Sequence, residues 1–148
     1  MDSNVQLLLY VIPTLIGFLF VLPFSSSLSK PFEERFPSLS NERGRLFFGL
    51  ILTTLAGFAV SIQTLWISSK VSEGGNFCAS SSVFSCDDVI GNAQYNTDPI
   101  FGLPWGGVGA VTFCILLYLV YSTSKEPNAE WVDSHLKFGA LITFGGFF

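Results

Sequence analysis

Three stretches of this chain run for at least 20 residues without a single charge: residues 5–24, 46–69 and 99–124. A helix needs roughly 20 apolar residues to cross a hydrocarbon core of about 30 Å, so each can span a bilayer. A fourth charge-free run, residues 138–148, is long enough for about half a crossing. Only 12% of the residues are charged, against about 25% in soluble domains. An all-α integral membrane protein, a bundle of transmembrane helices, is therefore expected. The N-terminus reads Met1-Asp2-Ser3-Asn4 with no basic residue, which argues for a retained span rather than a cleaved leader. The expected organisation is an N-terminal anchor over residues 1–24 and a polar linker over 25–45, with an interfacial turn. Spans follow over 46–68, 100–122 and from 136 onward, with a polar loop over 69–99.

The few charges are distributed unevenly. Lys30, Arg35, Arg43 and Arg45 stand in the linker, Lys70 alone in the long loop, and Lys125 and Lys137 before the last apolar run. Basic residues accumulate on the cytoplasmic side, so the linker and residues 124–137 should be cytoplasmic. The loop over 69–99 and the N-terminus should face outward. That loop carries Cys78 and Cys86, on the side where disulfides persist. The third cysteine, Cys114, lies in mid-span and reads as a small buried apolar residue.

Other chemistries find little support. The net charge is −4 and the seven basic residues form no stripe, which speaks against a nucleic-acid partner. No P-loop, zincin or dinucleotide-binding motif occurs. The one histidine, His135, reads as a solvated residue of a polar connection, so no metal is expected.

Local signals add detail. Pro13 and Pro23 should kink or end the first span. Ser85-Cys86-Asp87-Asp88 reads as a helix start, with Ser85 as cap and two acids in the first turn. Such a position favours a thiolate at Cys86, whereas the two carboxylates oppose it. Residues 99–106, PIFGLPWG, should open the next span, with Gly102, Gly106 and Ala110 forming a face that another helix can approach closely.

The region from Cys78 to Tyr121 resembles the vitamin K epoxide reductase family of membrane oxidoreductases. The resemblance lies in Cys78 and Cys86 eight positions apart, Ser85-Cys86-Asp87-Asp88-Val89, and Ile100-Phe101-Gly102-Leu103-Pro104 opening a small-residue-rich span. It extends roughly from Leu46 to the end, leaving the first span outside the family's four-helix core. It implies a quinone (ubiquinone, menaquinone or a vitamin K form) within the bundle, reduced by a CxxC pair on the last helix. A thioredoxin-like partner would deliver electrons to Cys78, and Cys86 would exchange with the CxxC. Asn92 stands where the family usually has Ser or Thr, and its amide can hydrogen-bond a quinone oxygen. Asp98 stands where some members bind the quinone through an Asn, and Phe101 lies in the adjoining motif. The 148 residues contain no CxxC. The family pattern places it after the helix beginning near Leu136, so the chain is expected to stop short of it and to be inactive towards quinone alone.

Two other functions fit the same residues. One is a non-catalytic membrane protein with an outward loop stapled by Cys78–Cys86, a closure that would stabilise by about 2–4 kcal/mol. The other is a helical interaction module built on the glycine face. The membrane would be a cell membrane in a prokaryote and of the endoplasmic-reticulum type in a eukaryote. With the loop outward, Cys78 should react with an impermeant maleimide on intact, reduced cells; labelling by permeant reagent only would invert the topology.

Overall fold

The computed structural model describes residues 3–23, 25–73, 92–126 and 128–145. Its helices are α1 (Ser3–Val21), α2 (Ser26–Glu33), α3 (Glu42–Ser72), α4 (Ala93–Asn96), α5 (Trp105–Lys125) and α6 (Val132–Gly145), with a 3-10 turn at Pro37–Ser40. Cys78, Cys86 and the helix start expected at Ser85 lie outside the described residues.

The long helix α3 lies between α1 and α5 and packs along both. Both pairs are antiparallel. A Cβ on Gly49 would lie 2.6 Å from Gly17 O and 3.1 Å from Phe20 Cβ, so α1 and α3 touch backbone to backbone. On the other side a Cβ on Gly106 would lie 2.9 Å from both Leu65 N and Ser61 O, and Phe113 lays its ring on Gly57. Apolar side chains gain nothing by leaving lipid for one another, so close backbone approach over small residues is what holds such helices together. The last helix, α6, packs on α5, with Gly139 facing Leu116 and Leu119.

Most Ser and Thr hydroxyls in these apolar helices are satisfied within their own helix, the buried Thr123 Oγ1 of α5 being the exception among the described residues. Thr53 donates to Gly49 O at 2.8 Å, Ser61 to Gly57 O at 3.0 Å and Thr112 to Val108 O at 2.9 Å. Pro13 removes one donor from the middle of α1, and Thr14 Oγ1 donates to the adjacent Tyr10 O at 2.8 Å. Helices α3 and α5 are long and apolar enough to cross a membrane, yet only 22% and 17% of their apolar windows are buried. A soluble core helix would be mostly buried; these expose Leu55, Val60, Val111, Ile115 and Tyr118. Helix α1 contributes a shorter apolar run, Leu8–Val21.

Several boundaries differ from those expected. The linker is not merely a turn, because α2 and the 3-10 turn fold back onto the bundle and seat a fully buried Leu39. Arg45 fastens them, donating from Nε to Ser25 Oγ at 3.2 Å and from Nη1 to Leu39 O at 3.3 Å. Helix α3 therefore starts at Glu42, within this fastened segment, rather than at Leu46. Helix α5 begins at Trp105 rather than Pro99, since Gly102 has φ +67° and Pro104 is the N-cap. Gly102 is thus off the helix, and the small face consists of Gly106 and Gly109 against Ser61 and Leu65.

Helix α6 begins at Val132, four residues ahead of Leu136, because its first turn is polar. Asp133 suits a helix N-terminus and pairs with Lys137 at 2.7 Å. His135 is consequently a helical residue, not a loop residue, half-buried with its ring 4.5 Å from that of Trp131. Cys114 is exposed on the outer surface of α5 rather than buried, one position round from the packed Phe113.

Gly106→Leu should separate α3 from α5 and destabilise the protein by about 1–3 kcal/mol, the usual range for overpacking. Gly107→Leu should be far milder, since a Cβ there meets only Leu65 Cδ2 at 3.6 Å. Denaturation in detergent micelles, followed by circular dichroism, would compare the two; equal effects would rule out the proposed contact.

Candidate functional site

The segment that carries the two cysteines leaves and rejoins the bundle at one end of α3. The chain departs after Ser72, beyond an exposed Lys70–Glu73 ion pair of 2.6 Å. It is back against α3 at Asn96, a buried side chain whose Nδ2 donates to Ser68 Oγ at 3.0 Å. This tie spans 28 positions and fixes where the loop closes. Sequence reasoning passed over Asn96. Its only signal is a polar residue just ahead of an apolar span, which many surface loops share.

Asn92 caps the short helix α4, its Oδ1 accepting from Gln94 N at 3.0 Å. Asn is among the preferred caps for this reason. The residue is exposed, and among the described residues its Nδ2 has no acceptor.

Asp98 is buried and organises the turn that follows. Its Oδ2 accepts from Phe101 N at 2.7 Å and from Ile100 N at 3.2 Å. Its own N–H donates to Leu103 O at 2.8 Å, and its carbonyl accepts from Gly102 N at 2.9 Å. Thr97 bridges to Pro104 at the base. Only a glycine adopts the φ of +67° at position 102 without strain. The outcome is a closed loop with Ile100 and Phe101 projecting at its tip, 78% and 74% exposed.

Asn92, Asp98 and Phe101, expected to serve one ligand, thus lie at the same end of the bundle in different states. Asn92 has an amide nitrogen without an acceptor among the described residues, the Asp98 carboxylate is engaged with backbone N–H groups, and Phe101 is an exposed apolar ring. Trp66, Tyr95 and Trp105 are exposed at this end too, as aromatic side chains are where hydrocarbon meets water.

Fold and site together define an all-helical membrane protein with the candidate site at one end of the bundle. A model of the vitamin K epoxide reductase family matches residues 48–148, from the first turns of α3 through the cysteine segment to the end of the chain. The protein belongs to that family, a family of membrane redox enzymes. Helices α1 and α2 lie outside the match. No curated protein and no solved structure gave a significant match.

Asp98→Ala should release the 98–103 loop. A hydrogen bond to a charged group contributes about 1.5–3 kcal/mol, so the amides of Ile100 and Phe101 should exchange with solvent roughly tenfold faster or more. Asp98→Asn, which keeps an acceptor, should be much closer to wild type. Hydrogen-exchange mass spectrometry would decide; unchanged exchange in the alanine variant would remove the clamp.

Proposed function

We propose that this protein is a thiol–disulfide oxidoreductase that passes electrons from a thioredoxin-like partner towards a membrane quinone. The observation that carries this reading is the placing of Cys78 and Cys86 in one family-matched segment, both of whose flanks meet the same end of α3.

In the first step a thiolate of the partner's dithiol attacks the Cys78 sulfur of a Cys78–Cys86 disulfide. The Cys78–Cys86 bond breaks, a mixed disulfide forms at Cys78, and Cys86 leaves as a thiolate. The partner's second thiolate then attacks its own sulfur of the mixed disulfide and releases Cys78. Two electrons have moved, the partner is oxidised, and this chain holds two reduced cysteines. Cys86 next attacks a second disulfide, the CxxC pair characteristic of the family, which is not among these 148 residues. One CxxC sulfur leaves as a thiolate, and Cys78 then attacks Cys86 in the mixed disulfide, restoring the Cys78–Cys86 bond and freeing the CxxC dithiol. That dithiol delivers two electrons and two protons to the quinone, giving the hydroquinone. The Asn92 amide supplies a donor for a quinone oxygen. Asp98 acts through the loop it closes, and Phe101 offers an apolar surface to the ring or its tail. No metal enters this scheme.

The scarcity of basic residues around the loop supports an outward placing, which would leave the cysteines open to a water-soluble partner. The alternative is a structural Cys78–Cys86 staple. Oxidised protein, alkylated and digested, should show Cys114 as the one modified cysteine. A thioredoxin lacking its resolving cysteine should then form a mixed disulfide with the wild type and with Cys114→Ser, but not with Cys78→Ser. A Cys78–Cys86 disulfide that no dithiol reduces under native conditions would establish the staple and end the relay.

A further inference from the structure

We propose that the groove between α1, α2 and the start of α3 is a phospholipid site, holding an acyl chain on its aromatic floor and the phosphate beside the linker cations. The groove encloses about 310 Å³ and is lined wholly by apolar side chains. Its floor is Phe20, 6% exposed, with Phe48 edge-on at 5.2 Å. Its rims are Ile16 and Leu19 on one side and Phe32 and Phe36 on the other, each 40–51% exposed.

The two rims differ in kind, which identifies the occupant. Ile16 and Leu19 belong to the apolar run Leu8–Val21 and face hydrocarbon. Phe32 and Phe36 belong to the folded linker, whose helix α2 turns Ser26, Ser27 and Lys30 to water. The groove therefore runs from hydrocarbon to the polar boundary, the course taken by a lipid's chain and glycerol. The same linker carries Lys30, Arg35 and Arg43, exposed and without an ion pair among the described residues. Arg45 is committed to Ser25 and Leu39.

Four basic and three acidic residues (Glu33, Glu34 and Glu42) lie between positions 25 and 45, a net of +1. Glu33 accepts from Ser29 Oγ at 2.9 Å. A phosphodiester answers this surplus, so an anionic headgroup is favoured over a zwitterionic one. The neutral head of a polyprenyl quinone would leave the cations without a partner. The site lies almost wholly outside the family-matched residues and is independent of the electron relay.

The test is native mass spectrometry of the full chain released from detergent. Palmitoyl-oleoyl phosphatidylglycerol, palmitoyl-oleoyl phosphatidylcholine and a long-chain ubiquinone are each added in turn. The site predicts one tightly held phospholipid per chain, phosphatidylglycerol bound more tightly than phosphatidylcholine. Leu19→Trp, which fills the space of about two methylenes, should weaken binding about tenfold. Lys30→Gln, Arg35→Gln and Arg43→Gln should each lower the preference for phosphatidylglycerol up to about fivefold, the effect of one cation near an anionic headgroup.

Circular dichroism would establish that each variant keeps its helices. Photo-crosslinking from a benzophenone side chain at position 32 gives a readout independent of affinity, and should label lipid. Crosslinking to a second copy of the chain, ubiquinone bound in preference to phospholipid, or lipid binding indifferent to Leu19→Trp would overturn the proposal.

Discussion

The close approach of α3 to the helices on both of its sides is the contact on which everything else depends. In water these helices would be driven together by their apolar surfaces. In lipid that drive vanishes, and van der Waals contact between well-fitted backbones takes its place. Gly17 and Gly49 supply it on one side, and Gly106 with Gly109 against Ser61 and Leu65 on the other. The hydroxyls near these contacts, on Thr53 and Ser61, are already bonded within α3, so drawing the helices together strands neither of them. One helix therefore fixes the two ends of the molecule at once. At one end it carries the folded linker through Arg45, and at the other the returning loop through Ser68.

The spans were legible in the sequence because the absence of charge over 20 residues has few structural meanings. Their ends were not. A helix continues past the hydrocarbon for as long as its hydrogen bonds last, so α3 extends to Glu42 and Ser72 where the apolar run suggested 46–68. At the other extreme, the PIFGLP stretch is apolar throughout and yet is not helix. One buried carboxylate, at Asp98, and one positive φ, at Gly102, hold it as a loop. Hydropathy cannot register either feature. Leu39 illustrates the same limit in the linker: a single leucine in a polar run gave no hint that it would be completely buried.

The family could be read from the cysteine spacing and the PIFGLP motif, and the match over residues 48–148 agrees with it. The expected roles of Asn92 and Asp98 came by position along the motif. Position says nothing of what a side chain already binds, and here Asn92 is a helix cap and Asp98 a loop clamp. Asn96, which ties the loop to α3, attracted no notice because an isolated Asn near a span has no pattern of its own. The small-residue face was recognised as a packing surface one turn too early, since Gly102 falls before the helix begins.

The outward placing of Cys114 on α5 bears on the order in which sulfurs can meet. It lies nine residues into the helix, or roughly 13 Å from its start at 1.5 Å per residue. A chain with three cysteines can in principle pair them in three ways. Here the third is set apart by depth, on a face turned towards acyl chains, where a soluble disulfide does not travel. In the proposed relay a competing thiol is thereby kept from Cys78 and Cys86 by the membrane itself, and fidelity of pairing would need no dedicated residue to enforce it.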